Sequence, residues 1–248
     1  MSAASLPEAL ATKTRDRVIE TLGLTEVHGD DKGPYMTLQS HAPMAQGKVG
    51  EVRVYEGGSL QKMVTCALVV PQIGLDSHML FAFTPGESAV PHFTLDSVGA
   101  GPHCAFHLDL VPRLDLGANL AYMDEVYTPL TEACKAARGM EGLSAAQLDI
   151  RQLAVMSPWM LVHRATLEAF ADIDGTVDAY LDHWFALLEK GVSDKALEAV
   201  DSAMLAERDR RNREIIFDPD VDKVWNQIGG LIGKESSEAL RSLLKNNT

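Results

Sequence analysis

Polar and hydrophobic residues alternate along the stretch from Pro91 to Arg113, and this pattern predicts two short strands joined by a glycine-rich turn. In the first strand, Phe93 and Leu95 fall on one face, whereas Asp96 falls on the opposite, polar face. Aspartate is disfavoured inside strands, so Asp96 either meets water or belongs to a functional site. A carboxyl group that faces an apolar pocket has a raised pKa, which suits a proton donor near neutral pH.

The second predicted strand places His103, His107 and Asp109 on one face and apolar side chains on the other. Because the sequence does not fix the pairing register, either face of this strand could lie beside Asp96. Together with His92, the two histidines lack the i, i+4 helical spacing of a metalloprotease site. We therefore predict no metal site, and we treat Asp96 as the leading candidate and the three histidines as further candidates.

In the remainder of the chain, the hydrophobic pattern predicts one leading amphipathic helix over residues 6–24 that ends at Gly23. After this helix, the pattern predicts strands first and further helices afterwards. Further strands are expected between residues 35 and 98, joined by segments too short for crossover helices, so the sheet should be largely antiparallel. One later strand is expected over 157–165, and helices are expected over 118–137, 143–155, 177–188, 196–211, 221–232 and 235–244. These elements predict an α+β fold in which helices cover both faces of one antiparallel sheet, an α/β/α sandwich within a single domain, 1–248.

Composition narrows the classes of function. The 248 residues carry a net charge of −13, which disfavours binding to nucleic acid or to an anionic membrane surface. No apolar run approaches the length of about 20 residues that spans a bilayer. The cysteines Cys66, Cys104 and Cys134 are far apart and form no CxxC pair, which predicts neither a disulfide framework nor a zinc or iron–sulfur site. We expect a cytoplasmic protein.

Two aspartate motifs carry weaker signals. In FDPDVD (217–222), a calcium loop counted from Asp218 would need glycine and glutamate where Lys223 and Gly229 stand. We interpret this segment as an Asp-Pro turn that caps the next helix. DIDGT (172–176) resembles the opening of a haloacid-dehalogenase-type phosphatase, with Asp172 as nucleophile, but no buried strand precedes it, so a helix N-cap is the favoured interpretation.

An arginine cluster stands out in this acidic chain, and its members are Arg208, Arg210, Arg211 and Arg213. A solvated helix end is the default interpretation. Guanidinium groups also form bidentate pairs with carboxylates, so the cluster could instead anchor an acidic ligand or dock an acidic protein partner.

Four stretches of the chain together resemble one family, and they are PHFTLDSV (91–98), LDLVPR (108–113), MSPWMLV (156–162) and ERDRRNREIIFDPDVDKVW (207–225). In order and spacing, over roughly residues 45–245, they resemble the ferredoxin-dependent bilin reductases and the related red chlorophyll catabolite reductase. The resemblance implies an α/β/α sandwich with a linear tetrapyrrole between the antiparallel sheet and the C-terminal helices. It further implies that reduced ferredoxin supplies single electrons and that no flavin, nicotinamide or metal is bound.

The resemblance also implies roles for particular residues. Asp96 matches the strand acid that faces the bilin, and Asp218 matches the acid that approaches from the helical side. Some members pair the strand acid with a glutamate and a histidine. The glutamate position aligns with Ala67, and His78 and His92 lie near the histidine position. In this family the arginine cluster, including Arg208, Arg211 and Arg213, would suit propionate binding or ferredoxin docking.

The sequence therefore predicts a ferredoxin-dependent oxidoreductase that reduces a linear tetrapyrrole, with biliverdin as the first candidate. Asp96 would be the central proton donor and Asp218 the second, with His78 or His92 assisting. Three alternatives stay open at this point: reduction of a chlorophyll-derived bilin, non-catalytic bilin binding, and magnesium-dependent phosphate hydrolysis at Asp172.

Overall fold

The computed structural model describes residues 4–198 and 200–246. Within these ranges, nine strands form one antiparallel sheet in the order β1-β3-β4-β5-β6-β7-β9-β8, and β2 pairs with β3 beside β1. The strands are β1 (Thr25–Val27), β2 (Met36–Ser40), β3 (Gly47–Gly57), β4 (Leu60–Val70), β5 (Leu75–Phe83), β6 (His92–Ala100), β7 (His103–Val111), β8 (Leu143–Ala145) and β9 (Leu161–Thr166).

Helices cover both faces of this sheet. They are α1 (Leu6–Leu22), α2 (Leu120–Val126), α3 (Thr131–Arg138), α4 (Ile150–Leu153), α5 (Leu167–Ala171), α6 (Asp174–Lys190), α7 (Ser202–Ile216), α8 (Val224–Ile232) and α9 (Lys234–Lys245). No helix in the described ranges is long and apolar enough to cross a membrane. The predicted α+β sandwich around a largely antiparallel sheet is confirmed.

The alternation of side chains along each strand divides the interior into two cores. Phe93 and Leu95 of β6 point into a core shared with α1, α3 and α6. Met79 and Phe81 of β5 point the opposite way, into a core completed by Phe217, α8 and α9. We call this second side of the sheet the cavity face, and we call the side that carries α1 the α1 face.

Local signals explain α1. Ser5 caps its first turn by accepting from the backbone N–H of Glu8, and Gly23 ends it in the left-handed region at φ 66°. The buried side chains of α1 include Leu10 and Val18, which cover the sheet. The helix predicted over residues 6–24, with its end at Gly23, is therefore confirmed.

The segment predicted as a helix over 143–155 is different in the structure. Leu143–Ala145 forms β8, which pairs with β9, and only Ile150–Leu153 is helical, after a capping box at Asp149. Apolar spacing over so few residues does not distinguish a short strand from a helix, so pairing with β9 decides the outcome. The strand predicted over 157–165 begins later, at Leu161, because residues 157–160 form a turn closed by the Met160 N–H and the Ser157 carbonyl.

The helices that periodicity predicted after residue 170 are present in the structure, and they differ from the prediction only in where they begin and end. The helix predicted over 196–211 is α7, which starts at Ser202 because Asp201 caps it and continues to Ile216. Ala199, inside that predicted range, lies outside the described residues, as do residues 1–3 and 247–248. The single domain expected over 1–248 stays a prediction.

A buried polar network fastens α7 to the sheet. His92 of β6 donates from Nε2 to Asp209 Oδ1 at 2.6 Å, because its Nδ1 accepts from the Thr84 backbone N–H at 3.0 Å. Arg213, one turn after Asp209, donates to the same carboxylate at 3.1 Å and lies over the ring of Phe83, 4.1 Å from its centroid. The network therefore joins a strand and a helix far apart in sequence.

The buried charges in this network are centred on one carboxylate. Burial, with the nearby cation of Arg113, lowers the pKa of His92 to about 3, so the imidazole is neutral at physiological pH. Burial would raise the pKa of Asp209, but His92, Arg113 and Arg213 outweigh it and hold that pKa below its usual range. The carboxylate of Asp209 is thus the shared counter-ion of two buried guanidinium groups.

Replacing Asp209 with alanine should destabilise the protein by about 3–5 kcal/mol, because two buried cations lose their counter-charge. Chemical denaturation at pH 7 measures this loss. Glu207→Ala is the matched control, since Glu207 lies on the same helix but is exposed, and its ion pairs among the described residues are with Arg210 and Arg211. The control should leave the unfolding midpoint nearly unchanged, and equal midpoints for both variants would contradict this role of Asp209.

Candidate active site

A cavity of about 510 Å³ lies on the cavity face, between the sheet and the C-terminal helices. Its walls are mainly apolar. The sheet contributes Met79 and Phe81, and the helical side contributes Phe217, Trp225 and Ile228. A pocket of this size, apolar with few polar groups, is typical of a binding site for a small organic ligand.

Strand register places one row of side chains across the sheet side of the cavity. Met79 of β5 pairs with Asp96 of β6, Asp96 pairs with His107 of β7, and His107 pairs with Val162 of β9. All four residues line the cavity. The register that the sequence left open therefore brings the polar face of β7 beside Asp96.

Asp96 and His107 form the polar centre of the cavity. Asp96 Oδ2 lies 3.5 Å from His107 Nδ1. The other oxygen of Asp96 and Nε2 of His107 are buried, and neither has a hydrogen-bond partner among the described residues. Burial lowers the pKa of His107, but the carboxylates of Asp96, Asp109 and Asp222 outweigh this effect and raise its pKa above the ordinary value. The pair can therefore hold a proton inside an apolar site.

The acid that approaches from the helical side is Asp222. It lines the cavity and accepts at 3.0 Å from the backbone N–H of Val224, the first residue of α8. Burial, which is partly offset by that backbone hydrogen bond, raises the pKa of Asp222, and the nearby carboxylate of Asp96 adds to the rise. Asp218 instead forms the preceding turn, where its Oδ1 accepts from the Asp220 N–H at 2.7 Å, and it is absent from the described cavity lining.

A third carboxyl group, that of Asp109, stabilises the turn beside the site. It is fully buried on β7, two residues after His107, and it accepts from the backbone N–H and the hydroxyl of Ser157 at 2.9 and 2.5 Å. Burial raises the pKa of Asp109 to about 6. These hydrogen bonds fix the turn that leads into β9 and so position Val162 on the cavity wall.

The two histidines predicted to assist the site lie elsewhere. His78 is on the α1 face, where its Nε2 lies 2.8 Å from Asp76 Oδ1, and Ala67 pairs with it in register on the same face. Period-two alternation explains this placement, since the neighbouring residue Met79 points into the cavity. His92 is on the cavity face but is enclosed in the network with Asp209.

The structure does not bring the arginine cluster to the cavity. Arg213 is buried against Asp209, and Arg211 is exposed and pairs with Glu207 at 2.6 Å. Arg210 also pairs with Glu207, and Arg208 is partly buried with an Nε that has no partner among the described residues. None of the four belongs to the cavity lining described here.

The phosphatase-like segment is also remote from the cavity. Asp172 ends α5, and Asp174 opens α6 and pairs with Lys13 of α1 at 3.0 Å. In the described ranges, no group of three or more His, Cys, Asp or Glu side chains could hold a metal ion.

Sequence reasoning identified Asp96 and named His107 only as one of three candidate histidines, and it did not select Asp222. A signal for His107 was present, because it shares the polar face of its strand with Asp109. Asp222 had a weaker signal as the last acid of FDPDVD, directly before a helix that begins at Val224.

The fold and the site together define a class: an α+β sandwich protein with a ligand-sized apolar cavity between sheet and helices, and an acid–histidine pair on the cavity floor. Among solved structures, the chain is similar to phytochromobilin synthase from tomato in complex with biliverdin, with a TM-score of 0.71 and 17% identity. The similarity covers 96% of this chain and 82% of that one. No family model matches the chain, and no curated protein matches it. At this identity the likeness establishes a shared fold.

Replacing Asp96 with asparagine should lower the pKa of His107, because the hydrogen bond and the nearest negative charge that raise it are lost while burial remains. Titration of the histidine ring signals by NMR measures this change, and His107→Gln assigns the signal. Asp76→Asn is the matched control, because Asp76 contacts His78 on the other face of the sheet. An unchanged His107 titration in Asp96→Asn would show that the two groups do not interact.

Proposed function

We propose that the cavity binds a linear tetrapyrrole and that this protein reduces it, with biliverdin as the first candidate substrate. The observation that carries the proposal is the Asp96–His107 pair, which places a carboxyl group and an imidazole with unpartnered polar atoms in an apolar cavity. The fold shared with a protein crystallised with biliverdin supports the same ligand class.

The cavity suits such a ligand in the polarity of its lining. A linear tetrapyrrole is a long conjugated molecule with apolar faces and a row of inward-facing nitrogens. The apolar side chains of Met79, Phe81 and Ile228 suit its faces. The carboxyl groups of Asp96 and Asp222 suit its N–H groups, because carboxyl oxygens accept hydrogen bonds.

Reduction of one double bond in the ligand consumes two electrons and two protons. In the proposal, reduced ferredoxin supplies the electrons singly, and each addition of an electron raises the basicity of the ligand. His107, which holds a proton through its neighbouring carboxylates, passes one proton to Asp96, and Asp96 passes it to the ligand. Asp222, whose pKa is raised, supplies the proton from the helical side, in the role that the sequence predicted for Asp218.

The other residues predicted from the sequence have no part in these proton transfers. His78 lies on the α1 face, His92 is neutral within a buried network, and Arg213 balances Asp209. Arg208 and Arg211 lie on α7 outside the cavity lining, where docking of the acidic electron donor stays a proposal.

Replacing Asp96 with asparagine should preserve biliverdin binding and slow its reduction by about 10²–10⁴-fold, because the variant keeps the shape of the side chain and loses the transferable proton. Anaerobic absorbance spectra of the purified protein with biliverdin, before and after addition of ferredoxin and a reducing system, measure both properties. Asp76→Asn is again the matched control and should reduce biliverdin at the rate of the unmodified protein.

The spectra also separate the alternatives. A bound spectrum that changes to shorter wavelength on reduction supports the proposal. A bound spectrum that does not change after ferredoxin and the reducing system are added indicates a non-catalytic bilin-binding protein. If only a chlorophyll-derived bilin is reduced, that bilin replaces biliverdin as the proposed substrate. If the spectrum of biliverdin does not shift on mixing, the proposal is wrong.

A further inference from the structure

The three tryptophans of the chain differ in how their indole N–H groups are satisfied. Trp159 donates to Thr131 Oγ1 at 3.0 Å, and Trp184 donates to the Pro91 carbonyl at 2.8 Å. Trp225 is 3% exposed, yet its Nε1 has no hydrogen-bond partner among the described residues. An indole N–H can only donate a hydrogen bond, and a buried donor without an acceptor is energetically unfavourable. We therefore expect the indole N–H of Trp225 to donate to an acceptor from outside the described chain.

The unpartnered indole belongs to the wall of the cavity. Trp225 lies on α8 and packs edge-on against Phe217, with 5.8 Å between ring centroids, and Phe217 packs edge-on against Phe81 at 5.2 Å. Trp225, Phe217 and Phe81 all line the cavity. The aromatic contacts hold the indole in place, so its N–H direction is set before any ligand arrives.

A second unpartnered polar group lies on the sheet side of the same cavity. Thr94 is 4% exposed, lines the cavity, and its Oγ1 has no hydrogen-bond partner among the described residues. It pairs in register with Phe81 and precedes Asp96 by two residues on the same face of β6. Thr94 and Trp225 therefore border the cavity on the side of the aromatic cluster of Phe81 and Phe217.

We infer that Trp225 Nε1 and the Thr94 hydroxyl form a carbonyl-binding subsite that receives the terminal lactam oxygen of the ligand. The inference rests on the proposed function, because a linear tetrapyrrole ends in lactam rings that each carry a carbonyl group. Asp96 then accepts hydrogen bonds from ligand nitrogens, while Trp225 and Thr94 donate to an oxygen at one end. Trp225 and Thr94 hold one end of the ligand, and they transfer no proton in the reduction.

If Trp225 forms this subsite, its replacement should weaken ligand binding without destabilising the ligand-free protein, which is not expected of a tryptophan with a purely structural role. Trp225→Phe retains most of the aromatic packing and removes an unpaired buried donor, so the ligand-free protein should unfold at the same denaturant concentration or a higher one. The same change leaves a ligand carbonyl unpaired in an apolar cavity, so biliverdin should bind about tenfold more weakly. Thr94→Val, which keeps the shape of the side chain, should weaken binding in the same direction.

The experiment combines absorbance titration with biliverdin and ¹H–¹⁵N NMR of the indole groups in the unmodified protein. Biliverdin should move the Trp225 indole proton downfield and leave the Trp159 and Trp184 signals in place, since those two groups already have partners. Trp159→Phe is the matched control: it loses an indole hydrogen bond remote from the cavity, so it should lose stability and keep its affinity for biliverdin.

Each outcome of these experiments either supports or overturns the carbonyl-binding subsite. If the unmodified protein binds biliverdin, equal affinity in Trp225→Phe together with a stationary Trp225 signal overturns the subsite and leaves the proposed function standing. If biliverdin binds to none of the proteins, the proposed function fails and the subsite fails with it. If Trp225→Phe does not fold, the Trp225 signal of the unmodified protein and the affinity of Thr94→Val decide.

Discussion

The pairing of β6 with β7 is the constraint on which the candidate site depends. Asp96 lies directly across from His107, and because side chains alternate along both strands, the same register sends Phe106 and Leu108 into the core on the α1 face. A shift of one residue would exchange these sets, placing aromatic and aliphatic groups beside Asp96 and burying an imidazole among apolar side chains. The hydrophobic core therefore enforces the register that creates the acid–histidine pair.

The opposite wall of the cavity depends on a different interaction. The carboxylate of Asp209 holds α7 against β6 through neutral His92 and two buried guanidinium groups. Because α7 is fixed there, the turn that follows it carries Phe217 and Asp222 over the strand row that contains Asp96. The arginine-rich helix thus contributes to the site by positioning it, and its one fully buried arginine, Arg213, balances charge within the protein.

The electrostatics of the cavity follow from this arrangement. Three carboxyl groups, of Asp96, Asp109 and Asp222, surround one imidazole in a site of low polarity, where charge interactions are stronger than in water. Burial raises the pKa of two of these acids, and the acids together raise the pKa of His107. Such a group of sites shares protons and can release them one at a time, which suits the stepwise reduction proposed for this site.

The sequence by itself determined the local features of this protein. Period-two alternation gave the hairpin and placed Asp96 on its polar face, apolar spacing with Gly23 gave α1, and the order of strands and helices gave the sandwich. These features follow from the repeat of a single strand or helix, so neighbouring residues contain the information.

Only the tertiary structure decided which of the polar residues meet. His92 and Asp209 lie 117 positions apart, and no local pattern relates them. Selection of Asp222 in place of Asp218 depends on how the turn after α7 meets the sheet, and the placement of His78 away from the cavity depends on which face of β5 the helices α8 and α9 cover. Periodicity specifies that an element has two faces, whereas packing between distant elements decides what each face contacts.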